Sequence, residues 1–133
     1  MNLVDVIIPT YKPDNKFLVS IKRLLAQTVA PGKIIIINTD KAVWDKTGIE
    51  EKLKELFEES DTELILEHIE KQDFDHGATR NFGVSKSKSE YFVCMTQDAV
   101  CFDKKTIEYL LRGMDKSIKM TYARQVPDKN ANK

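Results

Sequence analysis

The residues of this 133-residue chain that could do chemistry gather in three polar stretches. The first is Thr96-Gln97-Asp98-Ala99, which follows the apolar run Tyr91-Phe92-Val93-Cys94-Met95. A buried parallel strand that empties into such a quartet delivers one carboxylate, Asp98, to the rim of a sheet. Open α/β sheets bind ligands in the crevice at the carboxyl ends of their strands, so an acid there is placed to meet a ligand or its metal. A plainer role, capping the next turn as Asp often does after a strand, stands beside it. The second stretch, Asn38-Thr39-Asp40, sets short polar groups where a base or ribose edge could meet them, and an Asx turn accounts for the same residues. The third, Asp73-Phe74-Asp75-His76-Gly77-Ala78-Thr79-Arg80-Asn81, enters a helix. Arg80 falls in the first turns, where the helix dipole disfavours a cation unless an anion or carboxylate compensates it. That misfit marks Arg80 for a role. His76 has no Ser or Cys placed to form a nucleophilic pair, so capping or packing is its ordinary reading. Tyr11 and Trp44 could each stack on a base or simply pack.

The elements that must position these residues follow from periodicity. Val4-Asp5-Val6-Ile7-Ile8 is β-branched and stops at Pro9, a strand ending in an extended X-Pro step. Leu18, Ile21, Leu24 and Leu25 recur with helical period, giving a helix to about Thr28 that the Pro31-Gly32 pair closes. Lys33 to Asn38 contains four consecutive isoleucines, as a central strand covered on both faces requires. A second helix is signalled by Thr47 with Glu50 three residues on, a capping box, and by Ile49, Leu53, Leu56 and Phe57. Glu63 to Glu67 alternates weakly between charged flanks, like an edge strand. A short helix with small residues spans the stretch between Phe74 and Ser87. The fourth strand is Tyr91 to Met95, and Asp103 is a natural N-cap for a helix with Ile107, Leu110, Leu111 and Met114 inward. Met120-Thr121-Tyr122-Ala123 reads as one more strand. Strand and helix alternate throughout, which predicts a doubly wound α/β sheet with right-handed crossovers. If the first three strands run outward in one direction, the fourth returns to the other side of the first, giving the order 3-2-1-4. The switch point then sets Pro9-Thr10-Tyr11 against Gln97-Asp98.

Length and composition bound the rest. The chain suffices for one hydrophobic core, so residues 1–133 are expected to form a single domain or part of one. A content of 41% hydrophobic and 32% charged residues is that of a soluble globular protein. Lys+Arg and Asp+Glu both number 21, which removes the electrostatic case for a nucleic-acid partner. No segment approaches the roughly 20 apolar residues that cross a bilayer, and the N-terminus lacks signal-peptide features. Cys94 and Cys101 fit no metal spacing and make no disulfide framework. Reduced thiols in a cytoplasmic protein are the expectation.

The missing motifs narrow the ligand. Pro9-Thr10-Tyr11-Lys12-Pro13 stands where a dinucleotide oxidoreductase would carry G-x-G-x-x-G, and no G-x-x-x-x-G-K-[ST] is present. A phosphorylated receiver domain would need acids grouped after the first strand, and Thr10 and Tyr11 do not supply them. If the crevice binds a diphosphate, its charge must be neutralised mainly by a cation held on an acid, and Asp98 is the acid in place. Mg²⁺ or Mn²⁺ suits such a set of carboxylate, phosphate and water oxygens.

Four segments in order resemble the inverting GT-A glycosyltransferases of family 2, most closely the bacterial rhamnosyltransferase-like members. They are Val6-Ile7-Ile8-Pro9-Thr10-Tyr11, Phe74-Asp75-His76-Gly77-Ala78-Thr79-Arg80-Asn81, Thr96-Gln97-Asp98-Ala99 and Ala123-Arg124-Gln125-Val126-Pro127. The resemblance implies a GT-A, Rossmann-like, mostly parallel sheet and a nucleotide-sugar donor such as a UDP- or dTDP-sugar. It implies that Pro9, Thr10 and Tyr11 border the nucleobase, that Thr39, Asp40 and Arg80 approach it, that Gln97 faces the ribose, and that Asp98 ligates Mn²⁺ or Mg²⁺. The acceptor would be a glycan or a lipid-linked sugar. The complete enzyme would work in the cytoplasm, peripherally at the inner face of the membrane. The chain departs from the family in two ways: a single acid stands in the D-x-D position, and the chain is expected to stop before the acceptor half that carries the general base. Surface left open there would favour self-association. An alternative from a different class is a non-catalytic nucleotide-binding or protein-interaction module.

Overall fold

In a parallel strand covered on both faces, successive side chains feed opposite layers, so an unbroken apolar run serves two cores at once. The computed structural model, which describes residues 4–101 and 103–113, is built on that pattern. Strands β1 (Val4–Thr10), β2 (Lys33–Thr39), β3 (Glu63–Ile69) and β4 (Tyr91–Cys94) form one sheet in the order β3-β2-β1-β4. Every pairing is parallel, with β1 register running from Asp5/Lys33 to Thr10/Asn38 against β2 and from Val4/Tyr91 to Ile7/Cys94 against β4. The order expected from the sequence is the order found, and the switch point falls between β1 and β4. Helices α1 (Asn15–Leu25), α2 (Lys41–Thr47), α3 (Ile49–Glu58), α4 (His76–Ser85) and α5 (Thr106–Arg112) join and follow the strands, with a 3-10 turn at Lys71–Asp73 ahead of α4. None is long and apolar enough to cross a membrane.

One layer is formed by Val4, Val6, Ile8, Ile34 and Ile36 with Phe17, Ile21 and Leu24 of α1, Trp44 of α2, Leu53 of α3 and Ile107 of α5. The other is formed by Ile7, Ile35 and Ile37 with Ile65, Ile69 and Val84 of α4. The sheet is therefore wound on both faces. Each fully buried isoleucine is worth about 1.5–3 kcal/mol. On the α4 side the fit depends on a missing side chain, because a Cβ at Gly83 would run into Ile7 Cγ2. A buried acid also ties the amino ends together. Asp5 Oδ1 accepts from Lys33 N (3.0 Å), and its Oδ2 accepts from Ser87 Oγ (2.6 Å) in the link between α4 and β4.

Several expected boundaries shift. The first helix ends at Leu25 because the following residues are drawn to the entrance of α5. Gln27 donates to Asp103 O (2.8 Å) and accepts from Ile107 N (3.0 Å), while Thr28 N donates to Lys104 O (2.8 Å). The second helix forms as expected over Ile49–Glu58 (α3), but a short helix that the periodicity did not signal, α2, precedes it, and Gly48 at φ 65° separates the two. The Thr47–Glu50 capping box does not form. Thr47 Oγ1 accepts from Ile49 N, and Glu50 turns instead to Trp44 Nε1 (3.0 Å) and Lys54 (3.0 Å). Asp103 does not cap α5. It accepts from Lys105 N (2.8 Å) in the turn that precedes the helix. β3 runs to Ile69 along a sheet edge. β4 is half-buried rather than covered on both faces, with Phe92 50% exposed. Met114, the strand expected at Met120-Thr121-Tyr122-Ala123 and the segment Ala123-Arg124-Gln125-Val126-Pro127 lie outside the described residues.

Candidate functional site

The carboxyl ends of β1, β2 and β3 stop almost level, and register decides which side chains meet there. Thr10 lies opposite Asn38, and Asn38 opposite His68. The three form a row across the sheet. Thr10 Oγ1 donates to Asn38 Oδ1 (2.9 Å), and Asn38 Nδ2 lies 3.1 Å from His68 Nδ1 and donates to Asp40 O (3.3 Å). Thr10, Asn38 and Thr39 are buried beneath the rim, and Pro9 is half-buried within β1. Pro9 lacks an N–H, yet it lies beyond the last β1–β4 register pair, Ile7 with Cys94, where the ladder on that side has already lapsed.

Across the switch point the quartet after β4 does meet the loop after β1. Gln97 Oε1 accepts from Tyr11 N (2.7 Å), and Gln97 Nε2 donates to Tyr11 O (3.0 Å). A carboxamide thus pairs with both backbone polar groups of one residue, the N–H and the C=O of Tyr11, although 86 residues separate the two positions. α1 fixes the same segment from below, since Ser20 Oγ donates to Ala99 O (2.6 Å) and Arg23 Nη1 donates to Cys101 O (3.3 Å). Between these anchors Asp98 is exposed in a turn closed by Ala99 N donating to Thr96 O (3.2 Å).

Backbone strain gathers at this rim. Among the described residues the non-glycine residues with left-handed φ are Lys12 (50°) and Asp40 (70°), each just past a strand end. Such conformations cost about 1–3 kcal/mol and cluster at ligand sites. Asp40 also caps α2, where its Oδ1 accepts from Ala42 N (3.1 Å) and Val43 N (3.4 Å). Both bonds fall on one oxygen, which leaves Oδ2 for a ligand's N–H. The Tyr11 ring is exposed, with the Lys12 and Lys71 ammonium groups 5.4 and 5.9 Å from its centroid. Arg80 is exposed on α4 and acts on the thiol of Cys94, which burial pushes up and the guanidinium pulls down. α4 begins without a side-chain cap, and the buried Thr79 hydroxyl inside it has no hydrogen-bond partner among the described residues.

Trp44 is core, 1% exposed, and is not placed to stack on a base. His76 opens α4. Among the described residues no three His, Cys, Asp or Glu side chains converge as a metal cage. Asp98 therefore fits a cation shared with a ligand's phosphate oxygens, as Mg²⁺ is commonly held by one or two carboxylates plus substrate phosphates. It does not fit a resident ion held by protein alone. An open depression of about 580 Å³ lined by Leu25, Pro31, Leu56 and Thr62 lies at the opposite end, before the starts of β2 and β3. The strand-end chemistry is absent there. Sequence reasoning had no signal for His68, because its relation to Asn38 and Thr10 exists only through strand register.

A parallel 3-2-1-4 sheet with a polar crevice at its switch point defines a GT-A-type α/β domain. Its matches with known proteins are specific, and the chain belongs to glycosyl transferase family 2, whose model matches residues 5–131. It is 31% identical over 132 residues to the O-antigen chain rhamnosyltransferase RfbN of Salmonella typhimurium, covering 97% of this chain and 39% of that protein. It is 29% identical to the O-antigen chain rhamnosyltransferase WbaN of Salmonella anatum, covering 96% of this chain and 38% of the relative. The chain thus spans about two fifths of the length of these relatives. The crystal structure of S. aureus TarS 1-349 superposes with a TM-score of 0.63 at 17% identity, over 80% of this chain and 30% of that one, a likeness of fold.

Proposed function

We propose that this chain is the donor-binding part of an inverting glycosyltransferase that moves a sugar, rhamnose or a related hexose, from a nucleoside diphosphate onto a glycan or lipid-linked acceptor. The observation that carries the reading is the pair of hydrogen bonds between the Gln97 carboxamide and the Tyr11 N–H and C=O, since it brings the quartet holding Asp98 to the loop that would border the base. In this reading the exposed Tyr11 ring stacks on the base, and Thr10, Thr39, Asp40 Oδ2 and Arg80 line its edge. Gln97 turns its second amide hydrogen and remaining lone pair toward the ribose. Asp98 would hold Mn²⁺ or Mg²⁺, which when bound would supply positive charge to offset that of the departing nucleoside diphosphate. Lys12 and Lys71 add positive charge beside the anion's path. A carboxylate over the acceptor, outside the residues assigned here, would deprotonate the attacking hydroxyl so that displacement inverts the anomeric carbon.

Calorimetric titration of the chain with UDP and dTDP, with and without Mn²⁺, tests this. Binding that needs Mn²⁺ and disappears in Asp98→Ala is expected. Unchanged affinity in that variant would remove Asp98 from the metal site, and no affinity for either nucleotide would favour a protein-interaction module.

A further inference from the structure

Asn38 touches two of the residues assigned to the donor, and His68 decides how it does so. A carboxamide has two N–H donors on one side and one acceptor on the other. The Asp40 carbonyl can only accept, so the bond to it identifies Nδ2 and fixes which way Asn38 points. The same Nδ2 faces His68 Nδ1 at 3.1 Å, so that ring nitrogen must present a lone pair and the ring proton must reside on Nε2. Asn38 Oδ1 is then left to accept from the Thr10 hydroxyl. The polarity of the whole row therefore runs one way, from Thr10 through Asn38 to His68. Thr10 Oγ1 has spent its hydrogen and offers lone pairs alone to any further partner.

The His68 ring is itself held, packed edge-on against the buried Trp44 with centroids 5.6 Å apart. Trp44 is fixed in turn by its Nε1 bond to Glu50. The strained Asp40 peptide, at φ 70°, receives one of the two Asn38 hydrogens and so depends on the same side chain. The geometry points to His68 as a positioning residue for the donor crevice, acting through Asn38 to set the Thr10 hydroxyl and the Asp40 backbone in one arrangement. The inference rests on the donor reading above for its functional consequence. The hydrogen-bond row itself does not.

The two can be tested separately. In ¹⁵N-labelled ligand-free protein, His68 is expected to show a bare, pyridine-type Nδ1 and a protonated Nε2, with the Asn38 amide protons restrained. A protonated Nδ1 would overturn the inference whatever the protein binds. In titrations with UDP and dTDP in the presence of Mn²⁺, His68→Leu removes the acceptor. Affinity is expected to fall about threefold to tenfold, the usual scale for one lost hydrogen bond. His68→Asn, whose Oδ1 can stand in for Nδ1, is expected to restore most of it at equal thermal stability. Wild-type affinity in His68→Leu, or equal losses in both variants, would overturn the positioning role. If the unmodified chain bound neither nucleotide, the donor reading would fail, and the ¹⁵N pattern alone would decide the row.

Discussion

At the scale of single residues, Gln97 does the joining, and Asp98 is the residue to which the proposed cation is assigned. The two hydrogen bonds between Gln97 and the Tyr11 backbone are exposed, and each is worth about 0.5–1.5 kcal/mol. Gln97→Ala should therefore lower stability by roughly 1–2 kcal/mol and weaken Mn²⁺-dependent nucleotide binding with Asp98 intact. Gln97→Glu should bind worse than its charge suggests, because it keeps an acceptor for Tyr11 N but sets a carboxylate against Tyr11 O. Paired urea melts and titrations of the two variants check both outcomes. Glu50 permits a pH prediction. Its carboxyl is held below the ordinary 4.5, first by the Lys54 bond and then by the Trp44 indole N–H, against a smaller opposing effect of burial. A depressed folded-state value means that the stabilisation is complete above the unfolded value and is lost as pH falls through the folded one. The side chain is 38% exposed, so screening limits the effect to a few tenths of a kcal/mol. Urea midpoints of wild type and Glu50→Gln should differ near neutral pH and converge as the pH falls through the depressed folded-state value, below the ordinary 4.5.

At the scale of elements, what the sequence revealed depended on how far local pattern decides the outcome. The four isoleucines of β2 needed no tertiary information, since such a run has few other places to go, and all four are fully buried. Thr47 and Glu50 matched a capping box in spacing, yet Thr47 closes α2 and Gly48, in a left-handed conformation, takes the cap position of α3, while the Trp44 indole gives Glu50 another partner. The short helix α2 had a signal in Asp40, whose side chain caps it, but the same residue also read as a strand-end Asx turn. α4 exposes a limit of composition: Gly83 looks like a mild helix weakener and is in fact a packing contact. A Cβ there meets the β-branched, fully buried Ile7, which cannot swing aside. Gly83→Val should therefore destabilise the chain by about 1–3 kcal/mol, the range for overpacking, despite its gain in apolar area. Denaturant unfolding would measure the loss, and in a double-mutant cycle with Ile7→Ala the combined loss should be smaller than the sum of the two single losses, because the truncation removes the clash.

At the scale of the molecule, topology was legible where register was not. Element order and strand content were enough to place β4 beside β1, and so to bring Gln97 to Tyr11. The row from Thr10 through Asn38 to His68 escaped, because a one-residue slip of any strand would have turned those side chains to the other face. The same topology separates two abilities that the intact relatives would combine. Every residue assigned to the donor lies on the rim formed by β1, β2, α4 and the turn after β4, within the part of RfbN and WbaN that this chain matches, about two fifths of their length. In the proposed mechanism, transfer would also need a carboxylate above the acceptor. Asp40 Oδ1 caps the α2 N-terminus and the proposed reading assigns Asp98 to the cation, so that reading gives neither of them the acceptor's proton. The chain should accordingly bind a nucleoside diphosphate in the presence of Mn²⁺ while releasing it from a nucleotide sugar no faster than the uncatalysed background. Calorimetry for binding and a coupled assay of nucleoside diphosphate release, run on one preparation, would register the separation. Acceptor-dependent turnover well above background would mean that the proton acceptor lies within these 133 residues, and the division of labour drawn here would have to be redrawn.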